Sequence, residues 1–326
     1  MNFKGGIHMR IPKCYPGPSS LLLTLAFLLT FASPPAAAAT STTPSSSTTS
    51  SSSTTEHITG AFGAYNPTSK SAIKKLGMNS AMNYVSIADG LDNAHLRLSI
   101  YAAESSRIGI KLIDDIPDQL IRRYHEDWNL TKLKSDMQKH MNFIATTATV
   151  RNNLSGYWMI DDWYSDFGAA KEPLKYMTGL IRSTTPDLPA ICGFTGNTTY
   201  GGSVSGYAQF TANFSSEGCD MIGIYMYPYG TNKAPMTNLP IILQAFKNAG
   251  WDSSKTPLVG IPQSYGGLYG YSVPTAAQVR AETAYFCQNG AKHILYYNFN
   301  SATNGSTNTG IQQGIVQGLA DCQAMW

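Results

Sequence analysis

The chain has 326 residues, of which 43% are hydrophobic and 13% are charged, so it is long enough to bury a large core. Its formal net charge is +3, but Lys4, Arg10 and Lys13 lie in a leader that we expect to be removed, which leaves +3 − 3 = 0. A neutral body argues against a nucleic-acid partner, because phosphate binding requires a concentrated basic face. We therefore expect an uncharged substrate.

Residues 1–39 have the layout of a secretory signal peptide. A basic start is followed by an apolar run over 21–31 and by small residues over 36–39. The run is too short for a membrane-spanning helix, although an uncleaved anchor and a start at Met9 are alternatives. We expect a secreted, extracellular protein, with cell-wall association left open and no membrane contact once the signal is removed.

Residues 40–57 are expected to form a disordered linker. Positions 40–55 are almost entirely Ser and Thr. That composition buries too little apolar surface to fold, and it often carries O-linked sugar. The catalytic domain is then expected over 58–326.

Four cysteines remain when Cys14 is lost with the leader, and an oxidising compartment favours disulfides between them. They are Cys192, Cys219, Cys287 and Cys322. The last two are expected on consecutive helices and could pair. The first two flank consecutive strands, where buried free thiols are an equally good alternative.

Five Asn-x-Ser/Thr sequons could carry glycans: Asn129, Asn153, Asn197, Asn213 and Asn304.

From residue 60 onward, an apolar strand, a turn and an amphipathic helix recur, which is the pattern of a parallel sheet. Eight strands are predicted, over 61–66, 80–86, 111–116, 156–163, 190–196, 221–227, 258–264 and 293–298. Eight such units predict a single-domain α/β fold, the (β/α)8 TIM barrel, whose usual length is ~250 residues. An open doubly wound sheet is the alternative, but no Gly-x-Gly-x-x-Gly loop follows an early strand.

The carboxyl ends of barrel strands face one pocket, so the last residues of the strands are the binding candidates. Most are aromatic or amide side chains: Tyr65, Asn83, Trp163, Tyr225, Tyr227, Gln263, Tyr297 and Asn298. This mixture suits a sugar, whose C–H faces stack on aromatic rings and whose hydroxyl groups bond to amides. The histidines lack metal-binding spacing, so neither a metal nor a cofactor is expected.

Acidic pairs end the third and fourth strands, in the matching sequences Leu-Ile-Asp-Asp and Met-Ile-Asp-Asp that finish at Asp115 and Asp162. Successive strand residues point to opposite sides, so only one acid of each pair should face the barrel axis unless the strand has already turned into its loop, and Asp115 and Asp162 are favoured. Glycosidases need one protonated and one ionised carboxyl group. The hypothesis takes Asp162 as acid/base, Asp161 or Asp115 as the second carboxylate, and Asp114 as a substrate-binding residue. The alternative is that these acids cap helices.

The pattern resembles the TIM-barrel glycoside hydrolase superfamily. Residues 160–163 are similar to the acid-rich fourth strand of chitinase-like barrels, and 225–227 to the Met-Tyr element of their sixth strand. Those chitinases end the fourth-strand motif with Glu, where this chain has Tyr164 or Ser165, and their sixth-strand Asp is absent here. Barrels with a seventh-strand Glu are not matched, because this chain has Gln263. The resemblance implies a TIM barrel and hydrolysis of glycosidic bonds.

We therefore expect a monomeric glycoside hydrolase that cleaves a neutral or amino-sugar oligo- or polysaccharide by carboxylate acid/base catalysis. Two non-catalytic alternatives remain open. The missing seventh-strand acid makes a carbohydrate-binding barrel credible. A structural wall protein would have no pocket at the strand ends.

Overall fold

The computed structural model describes residues 56–127, 129–161, 168–196, 203–208, 210–231, 233–267, 270–299 and 307–326. The expected signal peptide and nearly all of the linker lie outside these ranges. The strands are β1 (Thr59–Phe62), β2 (Ser80–Met82), β3 (Lys111–Asp114), β4 (Leu154–Ile160), β5 (Ala190–Thr195), β6 (Met221–Met226), β7 (Leu258–Pro262) and β8 (Ala291–Tyr296). They pair in parallel and in chain order, and β8 closes on β1. The predicted (β/α)8 barrel is confirmed.

Helices cover the outside of the barrel. They are α1 (Pro67–Lys75), α2 (Leu91–Ile108), α3 (Ile116–Asp127), α4 (Leu130–Thr146), α5 (Ala148–Arg151), α6 (Lys171–Thr184), α7 (Val204–Tyr207), α8 (Leu239–Asn248), α9 (Ala276–Gln288) and α10 (Thr309–Gln323). Helices α3 to α5 all lie between β3 and β4. None of the described helices is both long and apolar enough to cross a bilayer.

The first strand ends earlier than its aromatic run predicts. β1 stops at Phe62, because Gly63 takes a left-handed φ of 80° that breaks the ladder. Asn66, predicted as the strand end, instead caps α1: its Oδ1 accepts the Ser69 N–H at 2.8 Å, and Pro67 follows at the first helical position. The turn that follows β1 therefore starts a helix, as expected.

The barrel interior is filled by apolar side chains around one indole. The layer includes Phe62, Met82, Ile113, Trp158, Ile191, Tyr225, Val259, Ile261 and Leu295. Room for Trp158 comes from two glycines on neighbouring strands. A Cβ on Gly193 would lie 2.3 Å from Cζ2 of the indole, and a Cβ on Gly223 would lie 3.2 Å from its Cη2. The centre of the barrel is therefore packed, and any pocket must lie at its ends.

Both expected cysteine pairs form disulfides. Cys192 on β5 joins Cys219, just before β6, with a Cα–Cα distance of 5.7 Å. Cys287 on α9 joins Cys322 on α10, with a Cα–Cα distance of 5.5 Å. Free thiols at the first pair are thereby excluded. In the loop-entropy view, closing loops with separations of 27 and 35 residues stabilises the fold by about 3.5–4 kcal/mol each.

Candidate active site

An irregularity in β4 brings Asp161 to the barrel axis. Trp158 belongs to the interior layer, whereas Met159 and Ile160 both pack in the outer apolar layer beneath the helices. The pairing of β4 with β5 also shifts register between Trp158 and Ile160, as a β-bulge does. The next residue, Asp161, therefore points inward, where its carboxylate contacts Tyr225 on β6.

Strict alternation from Trp158 would instead place Asp162 inward, which is the orientation the sequence favoured. Asp162 and Trp163 both lie outside the described residues. The role of Asp162 as acid/base and the role of Trp163 in binding stay predictions.

Asp161 lies within a line of four polar residues, the mouth network: Asp118, Arg122, Asp161 and Tyr225. Oδ1 of Asp161 accepts a hydrogen bond from the Tyr225 hydroxyl. Oδ2 of Asp161 accepts one from Nη2 of Arg122, at 3.3 Å. Arg122 also donates from Nε to Oδ2 of Asp118 at 2.7 Å. The Asp118 side chain is fully buried, whereas the Arg122 and Asp161 side chains are 31% and 12% exposed. The Asp161 carboxylate is thus held in place and still reachable from solvent.

Electrostatics in the mouth network fix the roles of donor and acceptor. Burial raises the pKa of Tyr225 well above its ordinary value, and the negative charge of Asp161 adds to that shift. Tyr225 therefore stays a neutral hydroxyl donor at physiological pH. A carboxylate that accepts bonds from a phenol and a guanidinium is stabilised in its ionised form. This arrangement suits Asp161 to the ionised role in a two-carboxylate reaction.

Aromatic rings crowd the same end of the barrel. They are Phe62, Tyr84, Trp158, Tyr225, Tyr227, Tyr265, Tyr271 and Tyr297. Tyr227 stacks on Tyr297 with ring centroids 5.4 Å apart, and the Tyr265 ring meets both edge-on. Tyr227 and Tyr265 are buried, whereas Tyr84, Tyr271 and Tyr297 are partly exposed. Lys233 lies over the Tyr271 ring, with its Nζ 3.6 Å from the ring centroid.

Three further predicted binding residues follow β1, β2 and β8. Tyr65 is 40% exposed. Asn298 is largely buried and follows the cis peptide bond to Tyr297, and its carbonyl accepts the Ser264 hydroxyl at 3.0 Å. Asn83 is 2% exposed, and neither of its amide atoms has a hydrogen-bond partner among the described residues. A buried amide in that state calls for water or a ligand, so Asn83 is kept as a binding candidate.

Asp115 makes close contacts with the protein itself, and the catalytic role expected from the sequence stays a prediction. Its carboxylate is fully buried and accepts the Val85 N–H at 2.9 and 3.1 Å, and its Oδ2 accepts Nε2 of Gln119 at 3.2 Å. Burial raises its pKa well above the ordinary value. These contacts hold the segment after β2 in place and use both oxygens of the carboxyl group.

Asp114 is committed to the helical layer in the same way. Its Oδ2 accepts the Nε2–H of His140 on α4 at 2.8 Å, and its Oδ1 accepts the Ile116 N–H at 3.0 Å. Nδ1 of His140 lies 3.2 Å from Nε2 of His95 on α2, whose ring stacks on Phe143. Burial, helped by His140, lowers the pKa of His95 to about 4. Asp114 therefore ties β3 to two helices, and the substrate-binding role expected from the sequence stays a prediction.

Gln263 supports the loops around the mouth. Its side chain is fully buried: Oε1 accepts the Tyr229 N–H at 3.1 Å, and Nε2 donates to the carbonyls of Tyr265 at 2.8 Å and Ser272 at 3.0 Å. Glu282 on α9 accepts the Gln263 N–H at 2.9 Å, and burial raises the pKa of this carboxyl well above its ordinary value. These bonds position the loops around the mouth, and the direct sugar contact that the sequence suggested for Gln263 stays a prediction.

Sequence reasoning missed Asp118 and Arg122. Their i, i+4 spacing on α3 was the available signal, since such pairs form ion pairs on helices. That spacing alone gives no hint that Arg122 also reaches Asp161, which lies 39 positions further along the chain.

A depression of about 180 Å³ lies at the opposite, amino-terminal end of the barrel. Ser80 and Ser155 line it, and their hydroxyls bond to each other at 3.0 Å. Residues at this end of a barrel usually serve stability, so we assign no chemistry to it. In the part of the chain that the structure describes, no group of three His, Cys, Asp or Glu side chains could hold a metal ion.

No protein-family model and no curated protein sequence matches the chain. It is similar in structure to a β-galactosidase from Marinomonas ef1, with a TM-score of 0.56, 7% identity, and coverage of 82% of this chain and 59% of that chain. An exo-β-1,4-mannosidase from Opitutaceae bacterium strain TAV5 gives a TM-score of 0.52, 12% identity, and the same two coverages, 82% and 59%. A class V chitinase from Pseudomonas fluorescens Pf-5 gives a TM-score of 0.51 and 11% identity, with coverage of 81% of this chain and 100% of that chain.

The chain therefore spans about three fifths of the length of the galactosidase and the mannosidase, and all of the chitinase. At these identities the similarity concerns the fold. The resemblance seen in the sequence pattern is confirmed at that level: the chain has the TIM-barrel fold found in these glycoside hydrolases.

Proposed function

We propose that the chain is a secreted glycoside hydrolase that cleaves a neutral or amino-sugar oligo- or polysaccharide at the carboxyl end of its barrel. The observation that carries this proposal is the Asp161 carboxylate, which lies on the barrel axis between Tyr225 and Arg122 and is 12% exposed. The fold that the chain shares with a galactosidase, a mannosidase and a chitinase supports the class of reaction.

Hydrolysis breaks the bond between the anomeric carbon and the glycosidic oxygen. A proton goes to that oxygen, and the hydroxyl of a water molecule ends on the anomeric carbon. One carboxyl group donates the proton, and an ionised one either activates the water or forms a covalent intermediate. The contacts of Asp161 suit the ionised role, and Asp162, the next residue, is the proposed proton donor.

The residues at the mouth of the barrel support a glycan as the substrate. Tyr84 and Tyr297 are aromatic and partly exposed at this end of the barrel, which is the residue type that stacks on sugar rings, and the buried amide of Asn83 is a further candidate. The mouth network has two carboxylates and one guanidinium, and Lys233, whose Nζ lies 3.6 Å from the centroid of the Tyr271 ring, brings a second cationic group to this end of the barrel.

The test is hydrolysis of a panel of neutral and amino-sugar polysaccharides, chitin and β-1,4-mannan included, by the protein without its signal peptide. Products are resolved by chromatography and mass spectrometry. At least one glycan should give shorter oligosaccharides, and Asp161→Asn and Asp162→Asn should each lower kcat by about 10²–10⁴-fold. Asp252→Asn, which removes an exposed charge before β7, is the matched control and should keep full activity. Unchanged turnover in both Asp161→Asn and Asp162→Asn contradicts the assignment.

A carbohydrate-binding barrel without catalysis is the second candidate. It is favoured by the carboxyl ends of β5 to β8, where the described residues include no carboxylate and the amide of Gln263 is bonded to loop backbone. Calorimetry would then show glycan binding, no product would appear on prolonged incubation, and Asp161→Asn would change affinity alone. That outcome supports binding and contradicts hydrolysis.

A further inference from the structure

We propose that Arg122 is the positioning residue that orients the Asp161 carboxylate at the barrel axis, with Asp118 as its anchor. The inference rests on the proposed function, in which Asp161 is the ionised carboxylate. Arg122 belongs to α3, the helix that directly follows β3, and it reaches across to the end of the neighbouring strand β4.

The two bonds of the guanidinium differ in burial and length. Nε lies 2.7 Å from Asp118, which is fully buried, and Nη2 lies 3.3 Å from Asp161, which is 12% exposed. The guanidinium is planar and rigid, so a bond that fixes Nε also fixes the direction of Nη2. The buried acid therefore sets the plane of the Arg122 side chain, and that plane in turn aims a donor at Asp161.

Tyr225 completes the positioning from the opposite side. It donates to Oδ1 of Asp161 while Arg122 donates to Oδ2, so both carboxylate oxygens are held. A carboxylate bonded through both oxygens resists rotation about its Cβ–Cγ bond. Chemistry at an anomeric carbon depends on such placement, and an error of about 1 Å in a reacting group can lower the rate by about 10²-fold.

Arg122 also sets the charge balance around Asp161. The titratable and charged groups around this carboxylate include Arg122 and Asp118 from α3, Tyr225 from β6, Tyr227 directly after it, and Tyr84 after β2, which interacts with both tyrosines. Arg122 supplies the positive charge in this set. Replacing it with a neutral residue leaves Asp161 and Asp118 as neighbouring acids and disfavours the ionised form of Asp161.

The experiment compares Arg122→Gln, Arg122→Lys and Asp118→Asn with the control Arg280→Gln. Arg280 makes a similar two-point ion pair, with Asp321 on α10. Arg122→Gln should lower kcat by about 10–100-fold with KM changed by less than about 3-fold, and should move the acid limb of the pH profile up by about one unit. Asp118→Asn should lower kcat by a smaller factor than Arg122→Gln does.

Arg122→Lys separates charge from geometry. It keeps the positive charge, so the acid limb of the pH profile should return to its wild-type position. It lacks the planar fork, so kcat should recover only in part. A purely structural role for Arg122 predicts a lower melting temperature, an unmoved acid limb and a kcat equal to that of Arg280→Gln.

A second readout does not depend on turnover. Carboxyl-carbon NMR follows the ionisation of Asp161, with the signal assigned by its loss in Asp161→Asn. If wild type cleaves no glycan but the Asp161 midpoint still rises in Arg122→Gln, the proposed function fails and the positioning role stands. If wild type is active and Arg122→Gln changes neither kcat nor this midpoint, the positioning role is overturned. Should Arg122→Gln fail to fold, Arg122→Lys decides, because wild-type kcat in that variant overturns the proposal.

Discussion

The hydroxyl of Tyr225 on β6 donates to the carboxylate of Asp161 at the end of β4, although the two residues lie 64 positions apart. This bond joins two non-adjacent strands across the mouth of the barrel. It also connects the acidic end of β4 with the aromatic face of β6, the two features that the sequence singled out separately.

Removing this hydroxyl should lower both activity and stability. We expect Tyr225→Phe to lower kcat by at least about 10-fold, because Asp161 loses one of its two donors, and to lower the free energy of unfolding by about 1.5–3 kcal/mol, as for a bond to a charged group. Steady-state kinetics and urea unfolding measure the two effects. Tyr285→Phe on α9 is the matched control, and equal kcat values for the two variants would contradict the role of Tyr225.

Trp158 packs so closely against Gly193 that a single added methyl group at Gly193 should destabilise the fold. An added Cβ would lie 2.3 Å from the indole and 3.0 Å from the Ile160 carbonyl, so Gly193→Ala should lower the free energy of unfolding by about 1–3 kcal/mol. Gly179→Ala is the control, because nothing lies within 4 Å of that Cβ on α6. It should raise stability by about 0.5–1 kcal/mol. Urea denaturation of the two variants gives opposite signs if the packing argument holds.

Two histidines, buried His293 and half-buried His95, should make the fold sensitive to acid. Burial lowers the pKa of His95 and that of His293 to about 4, from an ordinary value of 6.5. The unfolded chain therefore binds protons first as pH falls. The histidine contribution to the free energy of unfolding is fully present above pH 6.5 and is lost as pH falls toward 4, at a cost on the order of 1–3 kcal/mol for each.

Isosteric replacements check this assignment. His293→Asn keeps an acceptor for the Ile58 N–H, which bonds Nδ1 at 2.9 Å, and His95→Gln keeps a donor toward His140. Unfolding free energies of the double variant should change less than those of wild type between pH 6.5 and pH 4. Parallel curves for the two proteins over that range would exclude these histidines as the source.

Glu282 should respond to pH in the opposite sense. Burial raises its folded pKa well above the ordinary 4.5, so its contribution is fully present below pH 4.5 and is lost as pH rises. Glu282→Gln keeps the acceptor for the Gln263 N–H and cannot ionise, so its stability advantage over wild type should grow with pH. Glu282→Ala leaves that N–H unpaired and should cost about 1–3 kcal/mol. A wild-type curve parallel to that of Glu282→Gln would contradict the assignment.

The sequence by itself predicted the eight strands and their parallel order, and it favoured the Cys287–Cys322 disulfide while leaving the state of Cys192 and Cys219 open. The strands and their order depend on a local pattern, the recurrence of apolar strands and amphipathic helices. The folded chain keeps this pattern because the apolar faces must be buried. It also predicted that the acidic end of β4 lies at the mouth, since the carboxyl ends of all barrel strands lie at the same end of the barrel.

The three-dimensional structure decided which side chains meet there. The bulge in β4 reverses the alternation and turns Asp161 inward, and Arg122 arrives from a different helix. Asp114 and Asp115 share the Ile-Asp-Asp pattern of β4, yet they bond to His140 and to the Val85 backbone. Identical local sequences acquired different roles because burial and hydrogen bonding depend on partners that are far away in the chain.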